Sequence, residues 1–196
     1  MHRSNLLFLL LFLPFFTVSQ ATFASGTNVT IDLSGINRAS IESENDKKRI
    51  QDAAVLLAHY EIEAKKLIES VDVTQPNASD INSHAEKLMG LSEDFMESAR
   101  FRLPQCGEYL AKTISLKSSL NKISHENLEK NYHMDGALPK APGECYHTKD
   151  LFVHPATVMV LTRDDPKLGN DTRQSIKNEI VEVLAHTEVV RQLVIY

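Results

Sequence analysis

Residues 131–155 read NYHMDGALPKAPGECYHTKDLFVHP. The stretch holds three of the eight histidines, three of the seven prolines and one of the two cysteines. The rest of the chain beyond residue 45 is patterned as helix. Whether 131–155 is a connection or an element therefore decides which segments are the long helices. Gly136, Pro139, Pro142 and Gly143 argue against a regular helix. Pro155 suits the first turn of a short helix ending near Leu161. On that reading the stretch is an irregular connection.

Working outward, 46–71 carries Ile50, Ala53, Leu57, Tyr60, Ala64, Leu67 and Val71 at alternating steps of three and four. That is the seam of a bundle helix. A second helix is predicted from Ser79 or Asp80, with the stripe Ile81, Ala85, Leu88, Leu91, Phe95 and Ala99. A third is predicted from Pro104 to about Lys130 on Cys106, Tyr109, Leu110, Ile114, Leu116, Leu120, Ile123 and Leu128. The last begins at 170–172 and repeats Ile176, Ile180, Val183, Thr187, Val190 and Val194. The fold expected is all-α, an antiparallel four-helix bundle with a long irregular connection between helices 3 and 4.

The first 24 residues read as a secretory signal peptide. His2 and Arg3 precede an apolar run from Leu6 to Phe16, and small residues follow around Ala21 and Ala24. The run falls well short of the roughly 20 residues that span a bilayer. Residues 25–45 are polar and read as a flexible lead-in, and 46–196 as the bundle domain. Without Arg3 the chain carries 20 basic and 26 acidic residues, a net charge of −6. That balance excludes a general nucleic-acid partner and adsorption to an anionic membrane. An exported protein, periplasmic or secreted, with no stable membrane insertion after cleavage, is the expectation. In an oxidising compartment Cys106 and Cys145 read as one disulfide. Asn28, Asn77 and Asn170 open N-x-[ST] triplets.

No motif specifies a reaction. Phosphate-loop, dinucleotide, nucleophile-elbow and CxxCH signatures are absent, and the reading leans away from an enzyme. His133, Asp135, His147 and His154 are imidazole and carboxylate donors on one restricted segment, a candidate site for copper, zinc or nickel. Tyr132, Met134, Tyr146 and Phe152 are residue types enriched at interface cores, a candidate surface for a protein partner. A b-type haem needs an axial ligand facing the bundle interior, and only His84, Met89 and Met96 lie near a stripe. The leading expectation is an exported, non-catalytic binding or accessory protein using the 131–155 segment. The alternative is a metal-binding protein using its histidines.

Overall fold

The computed structural model describes residues 31–196, so the signal-peptide reading lies outside the described residues. Residues 31–43 are non-helical and cross the end of the bundle. There Ile31 N donates to Gln192 Oε1 at 3.0 Å and Ala39 N to the Arg102 carbonyl at 2.9 Å, while the Arg102 guanidinium donates to Ala39 O. Leu33 and Ile36 pack against the core.

Helix α1, Glu44–Asp72, starts on a capping box, with Ser43 Oγ accepting from Asp46 N and the Asp46 carboxylate accepting from Ser43 N. It buries Ile50, Ala53, Leu57, Tyr60, Ala64, Leu67 and Val71, the stripe expected from spacing. Helix α2, Ala78–Arg102, is capped by the Asn77 side chain, which accepts from Ser79 N at 2.8 Å. Two further long helices, Glu144–Asp164 and Asn170–Val190, complete an all-helical antiparallel bundle. Cross-helix contacts fix the directions. Glu63 meets His84 between the first two helices. Thr162 meets Asn82, near the start of α2, while Cys145 is bonded to Cys106 just past its end. Lys177 reaches Asp72 and Arg191 reaches Glu61, so the last long helix runs antiparallel to α1.

Two helix assignments differ from expectation. Residues 104–130 do not form one helix. They divide into a 3-10 turn at Pro104–Cys106, helix α3 at Gly107–Ile114, a 3-10 segment at Ser115–Ser119 and helix α4 at His125–Leu128. Ser115, Ser118 and Ser119 each donate a hydroxyl to the carbonyl three residues back, a local bond that competes with a continuous ladder. A π-helical turn at Glu129–His133 follows, ending where Met134 N donates to Glu129 O. Asp135 then takes a left-handed φ of 61°. At Gly136 a side chain is barred, because a Cβ there would lie 2.5 Å from the Lys130 carbonyl.

The irregular stretch thus ends at Gly143, and Glu144–Asp164 is a single helix, α5, with Pro155 inside it. The long connection, 103–143, precedes this third bundle helix. A proline in a helix interior removes the bond to the carbonyl four residues back. Here that carbonyl, Leu151 O, accepts instead from the hydroxyl of buried Tyr60 at 2.8 Å. The α1 seam therefore supplies the donor that lets α5 continue through Pro155. Helix α6, Asn170–Val190, ends in a π-helical turn at Arg191–Ile195. No helix among the described residues is long and apolar enough to cross a membrane.

Candidate functional site

With 144–164 helical, His147, Asp150 and His154 stand at steps of three and four. At about 100° per residue they share an arc of about 60°. Helix α6 carries Glu179, Glu182 and His186 at the same two steps. The helices are antiparallel, so the two stripes meet end to end: His147 opposite His186, and His154 opposite Glu179. The π-helical turn at Glu129–His133 brings His133 over them, its ring edge-on to His154 at a centroid distance of 5.0 Å.

Each imidazole is held by its own partner. His154 Nδ1 lies 2.7 Å from Glu179 Oε2, and His133 Nδ1 lies 2.8 Å from Glu129 Oε2. In both pairs Nδ1 faces the carboxylate, so Nε2 is the ring nitrogen left over for other partners. His154 is fully buried and its Nε2 has no hydrogen-bond partner. His147 Nδ1 and His186 Nδ1 share one hydrogen bond at 2.9 Å. Asp150 is fully buried too, and neither of its oxygens receives an aligned hydrogen bond. His186 Nδ1 sits 3.5 Å from Asp150 Oδ2. Buried polar atoms without partners are exceptional, and here they are clustered.

Two sets of donor atoms lie within 4.8 Å of one another, Asp150 with His154 and His186, and His133 with His154 and Glu182. Two ligands bound tetrahedrally at about 2.0–2.1 Å are about 3.3–3.4 Å apart. The 2.9 Å and 3.5 Å separations around His186 bracket that value.

Lys149 supplies the cation. Its side chain is fully buried, and Nζ lies 2.7 Å from the His133 carbonyl, 3.0 Å from Asp135 Oδ1 and 3.1 Å from Asp150 Oδ1. The ammonium also stands 4.0 Å from the centre of the Tyr146 ring. Asp135 Oδ1 accepts from the Tyr109 hydroxyl at 2.7 Å as well.

Burial first, and then the neighbouring His154, His147 and Lys149, which disfavour a further positive charge beside them, push the His186 pKa down to about 3. Burial and Lys149 lower His147. Both imidazoles are therefore neutral at neutral pH, the form that ligates metals. His133 is raised by its hydrogen bond to Glu129, against the effect of burial. Burial raises Asp150, although Lys149 and the neighbouring histidines oppose the shift. Tyr109 and Tyr146 are raised by burial and by nearby carboxylates, so both remain protonated donors.

Of the residues singled out in the sequence, His133, His147 and His154 are brought together. Neither His147 nor Asp135 is in either donor set: His147 reaches the cluster through His186, and Asp135 lies at the rim, exposed, occupied by Lys149 and Tyr109. Sequence reasoning passed over Asp150, Glu182 and His186. The signal that finds them is an acid-x-x-x-His pair on each helix, Asp150–His154 and Glu182–His186, whose four-residue spacing puts both members on one face. Cys106 and Cys145 form the expected disulfide, with Cα atoms 5.4 Å apart, and it fixes the start of α5 two residues before His147. Of the four interface candidates Phe152 is in the core and so offers no surface, Tyr132 and Tyr146 are half-buried, and Met134 is 77% exposed. Among the three haem-ligand candidates, His84 pairs with Glu63 at 2.6 Å, and Met89 and Met96 are core residues.

Comparison with protein-family models, with curated proteins and with solved structures gave no match, so the site is read from its own chemistry.

Proposed function

We propose that this chain is a metal-binding helical bundle whose site is formed by Asp150, His154 and His186, with His133, His147 and Glu182 completing the donor shell. The observation that carries the reading is the convergence of buried donor atoms that lack an aligned hydrogen bond, His154 Nε2 and the two Asp150 oxygens, beside His186. Among the described residues the Lys149 ammonium is the only full cation on the carboxylate. Two features support it. Glu179 and Glu129 hold the far nitrogens of His154 and His133, the outer-shell arrangement that orients metal-ligating imidazoles. Five carboxylates, those of Glu129, Asp135, Asp150, Glu179 and Glu182, stand around one lysine ammonium, so a cation entering among the imidazoles would meet compensating charge. A mixed imidazole and carboxylate set suits zinc, copper or nickel. The exposed Glu182 and half-buried His147 give the ion a way in.

Export belongs to the same proposal. The disulfide and the absence of a membrane-crossing helix among the described residues are compatible with an oxidising destination. A protein-docking role for 131–155 draws less support, because Cys145, Leu151 and Phe152 are core residues there.

The test is calorimetric titration of chelator-treated protein with Zn2+. One strong site is expected, with affinity falling at least about a hundredfold in His186→Gln and in His154→Gln. His84→Gln, on the opposite pair of helices, should bind as the parent does. Absence of binding, or an equal loss in His84→Gln, would overturn the proposal.

A further inference from the structure

We infer that Lys149 is a tethered counter-ion that holds the cation position beside Asp150 and is displaced when a metal ion enters. The inference rests on the metal-binding reading above.

The ammonium of Lys149 is fully buried, so it needs compensating charge around it. Its partners fall into two groups. Asp150 Oδ1, at 3.1 Å, belongs to the donor set with His154 and His186. The His133 carbonyl, Asp135 Oδ1 and the Tyr146 ring lie outside that set. A divalent ion bound by Asp150 would stand close to the ammonium, and like charges at that range repel strongly where water is scarce. The ammonium can give up Asp150 and keep all three outer partners. Asp135 is prepared to receive it: its left-handed backbone sets its position on the turn, and Tyr109 holds the same carboxylate oxygen.

His133 joins the two groups. Its carbonyl accepts from Lys149, and its imidazole belongs to the second donor set with His154 and Glu182. Metal entry and lysine displacement therefore act on the same π-helical turn. In the metal-free protein Lys149 neutralises Asp150 and keeps the buried carboxylate from standing alone. The same contact competes with every incoming cation, which sets the affinity below what the donor set alone would give.

The test compares Zn2+ affinity in the wild type and in Lys149→Met, both chelator-treated and checked for native helix content, and follows the lysine ammonium signals of 15N-lysine-labelled wild type during titration. Displacement predicts at least about tenfold tighter binding in Lys149→Met, as removal of a close like charge requires, and a shift of the Lys149 signal that saturates with one zinc equivalent. Unchanged or weaker binding in a folded Lys149→Met overturns the inference and leaves the metal site standing. So does a Lys149 signal that does not move while zinc binds; that second readout decides the matter if the variant fails to fold. A wild type that binds no zinc removes the site and the inference together.

Discussion

Replacing Tyr60 with Phe tests the contact on which the third bundle helix depends. Tyr60 is 1% exposed and its hydroxyl donates to Leu151 O at 2.8 Å. Pro155 has no N–H, so this carbonyl lacks the helical donor that any other residue at 155 would offer. The phenol is held above its ordinary pKa by burial and by the charge of Asp150, so it keeps its proton and stays a donor. Removing the hydroxyl leaves a buried carbonyl unsatisfied, at a cost of about 1–3 kcal/mol. For a domain of this size each kcal/mol lowers Tm by about 2–4 °C, so a 2 kcal/mol loss appears as about 4–8 °C. The assay is urea unfolding of chelator-treated protein, with the m-value checked for constancy. Pro155→Ala provides the second arm, because its N–H can donate to Leu151 O. In that background Tyr60→Phe should cost about half as much or less, a coupling expected of groups that share one acceptor. A Tyr60→Phe cost below about 0.5 kcal/mol, or equal costs in the two backgrounds, would mean that the hydroxyl does not stand in for the missing donor at Pro155.

Three other outcomes are expected. Replacing both cysteines with serine opens a loop of 39 residues and should cost about 4 kcal/mol by chain entropy, read from the urea midpoint; a loss under about 1 kcal/mol would mean that contacts alone hold the start of α5. In chelator-treated protein, His186 binds its proton only near pH 3 when folded and near 6.5 when unfolded, so its contribution is present above pH 6.5 and lost as pH falls towards 3. His133 has the opposite sign, because its raised folded pKa gives stability below pH 6.5 that is lost as pH rises through the raised value. Stability measured against pH should therefore lose part of its acid limb in His186→Asn and part of its near-neutral limb in Glu129→Gln; unchanged profiles would contradict both assignments. Zinc at about a thousandfold above its Kd should stabilise the wild type by about 4 kcal/mol, or roughly 8–16 °C in Tm. The rise should vanish in His186→Gln, and an equal rise there would indicate binding elsewhere.

The stripes of α1, α2 and α6 were legible because each helix buries one face and shows the other to solvent. Helix α5 offers no such contrast. It buries Cys145, Lys149, Leu151, Phe152, Val153, Pro155, Ala156, Val158 and Val160, residues that point in every direction around its axis. A helix covered on all sides carries no period to detect, and Pro155 reads as a stop when its missing bond is repaired by Tyr60, 95 residues earlier in the chain. The apolar residues of 104–130 misled in the opposite way. Their spacing suits a helix, while the serines at 115, 118, 119 and 124 turn it into short pieces. The site followed the same division. His133, His147 and His154 were legible as a cluster by composition alone. Asp150 and His186 were not, because their place depends on 147–154 being helical and on its pairing with α6.

The cluster is also a difficult thing for a bundle core to hold. Asp150, Lys149 and His154 are fully buried in the same two turns of α5, beside the half-repaired ladder at Pro155. Burying a charge pair is neutral at best compared with apolar packing of the same volume. Residues such as leucine at 149, 150 and 154 would give a simpler core. Around this layer stand a disulfide at the start of α5, a phenol donated from α1, and a connection whose left-handed turn delivers Asp135 and His133. Each of these holds the polar layer in position, and the Tyr60 hydroxyl also carries α5 past Pro155. Where local rules are broken together and the supports converge on the breach, function is the economical cause. Here the breach consists of imidazole and carboxylate donors gathered at one buried layer, which is the ground on which the metal-binding proposal rests.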